Sequence, residues 1–257
     1  MYKDMIKRNF SRSAGTYDDH ALIQKECALN VVGSIKAKDF SKILEIGCGT
    51  GMLTRLLRDT YKKAEIIAVD ISESMIETAS KKVPDKKTKF LVADGEHILM
   101  DNNVDLITSN ATFQWFEDLD STFERFNKML KKGGMLCFSM YGPNTFTELE
   151  EVLSKNVGKT HILSSRKFIT PERLLKTLEK HFEKFEVSEK YYTMDFISLW
   201  DLLKDIKRTG SRGEGLGNDV FLGKHMILAL ERDYLAKYGT ILATHHVYFC
   251  KAQAKKG

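Results

Sequence analysis

The stretch Ile43-Leu44-Glu45-Ile46-Gly47-Cys48-Gly49-Thr50-Gly51 limits what this chain can fold into more than any other. A short apolar run takes in an acid and then breaks into three alternating glycines. Beyond them Leu53, Leu56 and Leu57 recur at helical spacing. The pattern reads strand, tight turn, helix: the opening of an α/β unit that binds a nucleotide-like ligand. Glycine adopts backbone angles closed to other residues and lets a ligand lie against bare main chain.

The same alternation continues downstream. Residues 66–70, 89–92, 104–109 and 135–139 are apolar strand-like runs. Helical patterns stand between them, and Gly133-Gly134 punctuates the approach to the last. Ser72 and Ser74 both offer a cap for the helix after the second strand, and Ser74 to Glu77 fits a capping box. Alternating strands and helices indicate a parallel sheet with right-handed crossovers. In such sheets the ligand sits beyond the carboxyl ends of the strands. The residues there are Glu45, Asp70, Asp94 and Asn110.

Towards the amino end, Tyr17, His20, Ala21, Gln24 and Ala28 share one helical face. Towards the carboxyl end, helices are predicted over 144–155, 171–182, 196–208 and 221–238. Strands are predicted over 185–192 and 240–251. A loop at 209–217 is rich in glycine, and the tail 255–257 is expected to fray.

The turn excludes two ligands. Met52 stands where a dinucleotide fingerprint needs its third glycine, and no G-K-[ST] ending marks a mononucleotide loop. A carboxylate at Glu45 suits an ammonium group. Asp70, about 20 residues past the turn, suits ribose hydroxyls. Asp94 suits the exocyclic amine of an adenine. Ammonium, ribose and adenine together describe S-adenosylmethionine (SAM).

Composition narrows the partners. The 257 residues carry a net charge of +5, with no dense basic tract and no nucleic-acid motif, so nucleic acid is not expected. No run approaches the roughly 18 apolar residues of a membrane span. Residues 1–8 lack an apolar signal core. Cys27, Cys48, Cys137 and Cys250 lack metal-type spacing and suit reduced thiols in a cytoplasm. No metal is expected. Cys48 has no partner base in view for a nucleophilic role.

Glu45 to Gly51, Asp70-Ile71-Ser72, Ala93-Asp94-Gly95 and the segment 110–115 resemble successive motifs of class I SAM-dependent methyltransferases. The resemblance implies a Rossmann-like fold with a seven-stranded, mostly parallel sheet whose last strand runs antiparallel. It implies one domain: an N-terminal lid helix at 1–30, a SAM-binding core at 40–142, substrate-side elements at 143–238, and the final strand at 240–251. Cofactor contacts then fall on Glu45, Gly47, Cys48, Gly49, Gly51, Asp70, Ile71, Met75, Asp94, Gly95 and Asn110.

Residues 10–21 with Gln24 are similar to the N-terminal segment of malonyl-acyl-carrier-protein O-methyltransferases of biotin synthesis. So are Asn110 with Gln114-Trp115, the stretch 166–172 and the stretch 203–210. That family caps the free carboxylate of a malonyl thioester, on acyl carrier protein or coenzyme A, as a methyl ester. A carboxylate is ionised at neutral pH and needs no general base. Tyr17 is expected to close over the cofactor and hydrogen-bond near the reacting carboxylate, which makes it the catalytic candidate. His20, Gln24 and Trp115 are further substrate candidates, with Trp200 as a second possible wall. Lys204, Lys207, Arg208 and Arg212 are expected either to grip the carboxylate, the phosphopantetheine phosphate or the carrier protein, or to form a solvated face. A monomer is expected. Other acceptors, such as a trans-aconitate-like acid or a quinone carbon, and a non-catalytic SAM binder are the competing readings.

Overall fold

A computed structural model describes residues 2–101, 103–156, 163–210 and 223–255. Its strands are β1 (Lys42–Ile46), β2 (Glu65–Asp70), β3 (Thr88–Val92), β4 (Val104–Asn110), β5 (Leu130–Tyr141), β6 (Phe182–Phe196) and β7 (Ile241–Ala254). Its helices begin with α1 (Tyr2–Ser13), α2 (Tyr17–His20) and α3 (Leu22–Ile35). Then come α4 (Met52–Thr60), α5 (Glu73–Lys82), α6 (Leu119–Met129), α7 (Thr147–Asn156), α8 (Pro171–His181), α9 (Leu199–Arg208) and α10 (Lys224–Tyr238).

The seven strands form one sheet in the order β3-β2-β1-β4-β5-β7-β6. β1 to β5 pair in parallel, and β7 runs antiparallel to both β5 and β6. This is the Rossmann-like topology expected of the chain. Because β1 and β4 are neighbours while β2 and β3 run off the other way, the strand order reverses between them. A ligand crevice therefore opens above their carboxyl ends.

Strand alternation assigns the two sheet faces. Ile43, Ile66, Ala68 and Leu106 pack with α3 and α4 through Val31, Ile35, Leu53 and Leu57. Leu44, Ile46, Val69 and Ile107 pack with α6 and α8 through Phe123, Phe126, Leu174 and Leu178. A separate cluster joins α7, α9 and α10 to the start of β7 through Leu149, Leu202, Leu230 and Ile241.

Several elements depart from expectation. The N-terminal segment is not one helix. Thr16 and Ala21 leave the helical region, Ala21 at φ −87°, ψ 45°, so the chain turns twice and α1 swings away from α3. Gly133-Gly134 lies inside β5 rather than before it. Val104 pairs with Leu130 and Leu106 with Met135, so β5 bulges there, with Gly133 at φ +76°. Ser72, not Ser74, caps α5, its hydroxyl accepting from the Met75 N–H. β6 extends beyond 185–192 at both ends because β7 pairs with it along its length. The glycine-rich loop from 211 and the predicted helix start at Phe221 lie outside the described residues. Among the described residues, no helix is long and apolar enough to cross a membrane.

Candidate functional site

The glycine turn is held from both sides. The N–H groups of Gly47 and Cys48 donate to the Val69 carbonyl at 2.7 and 2.9 Å. Gly47 has φ +70°, and a Cβ there would lie 2.1 Å from Thr112 Oγ1. No side chain fits that place. Asp70 accepts from the N–H of Gly49 at 2.9 Å and of Ser72 at 2.8 Å, clamping the turn to the start of α5. Burial raises the Asp70 carboxyl, and the N–H groups of Ser72 and Gly49 oppose that shift.

A cavity opens over this turn. Gly47 and Gly49 line it, as do Asp70, Ile71 and Met75. Asp94, Gly95 and Asn110 close its far side, and Tyr17 and Trp115 also reach it. Asn110 is locked in place: its amide donates to the Gln24 carbonyl at 2.9 Å and its oxygen accepts from Ser139 at 2.6 Å. Cys48 and Gly51 are structural members of the turn and are not among the lining residues. Neither is Glu45. It is 1% exposed and shares the parity of Ile43, so it faces the α3 and α4 side beneath the turn. Thr54 alone offers its oxygens hydrogen bonds, through side chain and backbone, and neither oxygen has a well-formed one among the described residues. Burial pushes its carboxyl up to about 8, with Thr54 opposing.

The sequence reading expected a lid at 1–30 but named no residue of α1 in it. Lys3, Ile6 and Phe10 face this cavity. Lys3 Nζ lies 2.6 Å from both Asp94 and Glu96. Burial raises the Asp94 carboxyl, but the bonds from Lys3 and His97 outweigh it and hold the group below its ordinary value. Ser11 shares a 2.8 Å hydrogen bond with Ser72, and Asp18 is bonded by Thr50 and Lys82. Nothing local in the first residues signals these partners, which lie 61 to 93 positions away in the case of Ser11 and Lys3.

A second cavity lies on the other side of Trp115. His20, Gln24 and Trp115 line it, as do Tyr141, Ser165, Phe168, Asp205 and His245. Trp115 belongs to both cavities and is packed edge-on against Phe168 at 5.4 Å. Phe10 lies between Tyr17 and Trp115, 6.4 and 6.1 Å from their ring centres. Burial raises the phenols of Tyr17 and Tyr141, so both stay protonated.

The basic cluster sits elsewhere. Lys204, Lys207 and Arg208 are exposed on α9 and line neither cavity. Arg208 Nη1 is 2.9 Å from His20 Nε2, and His20 Nδ1 is 3.0 Å from Asp205 Oδ1. Arginine can only donate, so Nε2 accepts and the proton sits on Nδ1, bonded to Asp205. Trp200 is 54% exposed and walls nothing. Arg212 lies outside the described residues. All four cysteines are free and buried.

The first cavity fits SAM on its own terms. It combines a bare glycine turn, an acid clamped at the end of β2 and a second acid after β3. Residues 44–138 match the family described as a methyltransferase domain. The chain is 37% identical over 223 residues to the malonyl-acyl-carrier-protein O-methyltransferase of Priestia megaterium, covering 81% of each. It is 33% identical over 262 residues to that of Bacillus cytotoxicus, covering 96% of this chain and 90% of the other. Among solved structures, a Haemonchus contortus phosphoethanolamine N-methyltransferase in complex with SAM superposes with a TM-score of 0.62 at 19% identity. That likeness covers 99% of this chain and 60% of the other.

Proposed function

The chain belongs to the malonyl-acyl-carrier-protein O-methyltransferase family, and from that premise we propose that it methylates the free carboxylate of a malonyl thioester. It is a SAM-dependent methyltransferase, and SAM is its cofactor. The observation that carries the acceptor assignment is the reach of the similarity. It runs over 96% of the chain, including the segments after residue 142 that build the second cavity, not the cofactor core alone.

SAM, held by Gly47, Gly49, Asp70 and Asp94, would supply a sulfonium-bound methyl group to the carboxylate oxygen, the methyl–sulfur electron pair remaining on sulfur. No proton moves, since the carboxylate is already ionised. The chain's task is alignment, for which proximity supplies several kcal/mol. Gly47, Gly49 and Asp70 seat the cofactor from below, with Ile71 and Met75 beside them. Asp94, Gly95 and Asn110 bound it at the far side, and α1 covers it. Tyr17 donates its protonated hydroxyl near the reacting oxygen. His20, Gln24 and Trp115 face the acceptor. Lys204, Lys207 and Arg208, exposed on one helix, suit an acidic carrier protein. The whole chain acts as one methyltransferase domain.

The test is incubation with SAM and malonyl-acyl carrier protein, followed by mass spectrometry. One added methyl on the malonyl group is expected. Malonyl-CoA, free malonate and trans-aconitate run in parallel. Transfer to a free acid with none to either malonyl thioester overturns the assignment.

A further inference from the structure

Among the residues that line the second cavity, four buried polar atoms lack a hydrogen-bond partner among the described residues. They are Trp115 Nε1, Tyr141 Oη, Ser165 Oγ and His245 Nε2. Their residues are 7%, 5%, 4% and 7% exposed. They come from four separate segments: the turn after β4, the end of β5, the turn before α8, and β7. Buried polar groups are almost always paired, and leaving one unpaired is costly. Four among the residues lining one cavity point to a shared ligand.

Their chemistry says which kind. An indole N–H can only donate, and a phenol, a hydroxyl and an imidazole N–H all donate readily. An ionised carboxylate can only accept. Among the described residues no lysine or arginine lines this cavity, and its one acid, Asp205, is already bonded by His20. Tyr141 and His245 pack with ring centres 5.8 Å apart, and Phe146 packs edge-on against His245 at 4.9 Å.

We propose that the acceptor's reacting carboxylate is held in this cavity by the uncharged donors Trp115, Tyr141, Ser165 and His245, with no lysine or arginine among the described residues upon it. The assignment rests on the malonyl-thioester reading above. It also has a kinetic rationale. During transfer the carboxylate loses its charge. A cation placed on it would bind the ground state better than the transition state and slow the step. Dipolar donors orient the oxygens with less of that penalty. Burial keeps His245 uncharged, its imidazolium pushed down to about 4.

Calorimetry in the presence of S-adenosylhomocysteine tests this by comparing malonyl-CoA with acetyl-CoA, which lacks the carboxylate. Tyr141→Phe and Ser165→Ala are each expected to cut the preference for malonyl-CoA by about tenfold or more. Affinity for S-adenosylhomocysteine and the melting temperature serve as folding controls and should hold. His245→Gln, which retains a donor, should keep more of the preference than His245→Leu. The assignment is overturned if Tyr141→Phe and Ser165→Ala keep the preference, and more sharply if Arg208→Ala abolishes it. Failure of the unaltered protein to methylate any malonyl thioester would instead overturn the functional reading, and this assignment with it.

Discussion

Replacing Glu45 by glutamine should make the protein's stability less sensitive to a rise in pH from about 5 to about 8. The carboxyl is 1% exposed, with neither oxygen in a well-formed hydrogen bond, and its ionisation is pushed from 4.5 to about 8, first by burial. In the unfolded chain the group ionises at its ordinary value. Between 4.5 and about 8 the folded state therefore holds one proton more than the unfolded state. Folding stability then falls as pH rises, by about 1.4 kcal/mol per unit from this group. Over the whole interval the loss is about 5 kcal/mol, and at pH 7 about 3 kcal/mol has already gone. That is a large share of the roughly 5–15 kcal/mol that holds a typical domain folded. Glutamine has nearly the same shape and does not ionise. Urea unfolding of both proteins at half-unit steps from pH 5 to 9 supplies the comparison. The stability difference should widen in favour of Glu45→Gln by about 1.4 kcal/mol per unit and level off above about pH 8. Parallel curves, with a difference independent of pH, would refute the buried, proton-holding carboxyl.

His245 should show the opposite sign. Burial lowers its imidazolium from 6.5 to about 4, so stability is lost as pH falls through that window, by about 1.4 kcal/mol per unit. Unfolding of His245→Gln against the unaltered protein between pH 4 and 7 checks this; an equal loss in both would discount it. Gly47→Ala places a methyl 2.1 Å from Thr112 Oγ1 at φ +70°. It should weaken SAM binding at least about tenfold and cost about 1–3 kcal/mol of stability, read by calorimetry and denaturation. Lys3→Met removes the bridge from α1 to Asp94 and Glu96. Glu96 keeps the N–H groups of Glu117 and Asp118, so the core should survive while hydrogen exchange in α1 quickens several-fold. Unchanged exchange in α1 would count against the latch.

What the sequence determined by itself was local and periodic. Short apolar runs placed β1, β2, β3 and β4 to within a residue or so, because the central strands of a parallel sheet covered by helices are buried on both faces. The glycine turn and Asp70 were legible because backbone clearance and an N–H-binding acid leave a mark on the residues themselves. Tertiary structure decided whatever depends on segments distant in the chain. The break at Ala21 sends α1 across the cofactor cavity, where Lys3 meets Asp94. The bulge at Gly133 follows from pairing with β4, and the full length of β6 from pairing with β7. Glu45 and Ile46 are neighbours in sequence, yet β1 sends one beneath the turn and the other to the cavity wall. The clustered charges of Lys204, Lys207 and Arg208 drew attention as a substrate grip because charge is visible in composition. Trp115, Tyr141, Ser165 and His245 span 130 positions and have no common pattern. Only the packing of four separate segments around one cavity brings their unpaired donors together, because hydrogen-bond satisfaction belongs to the folded surroundings of a residue and not to its neighbours in the chain.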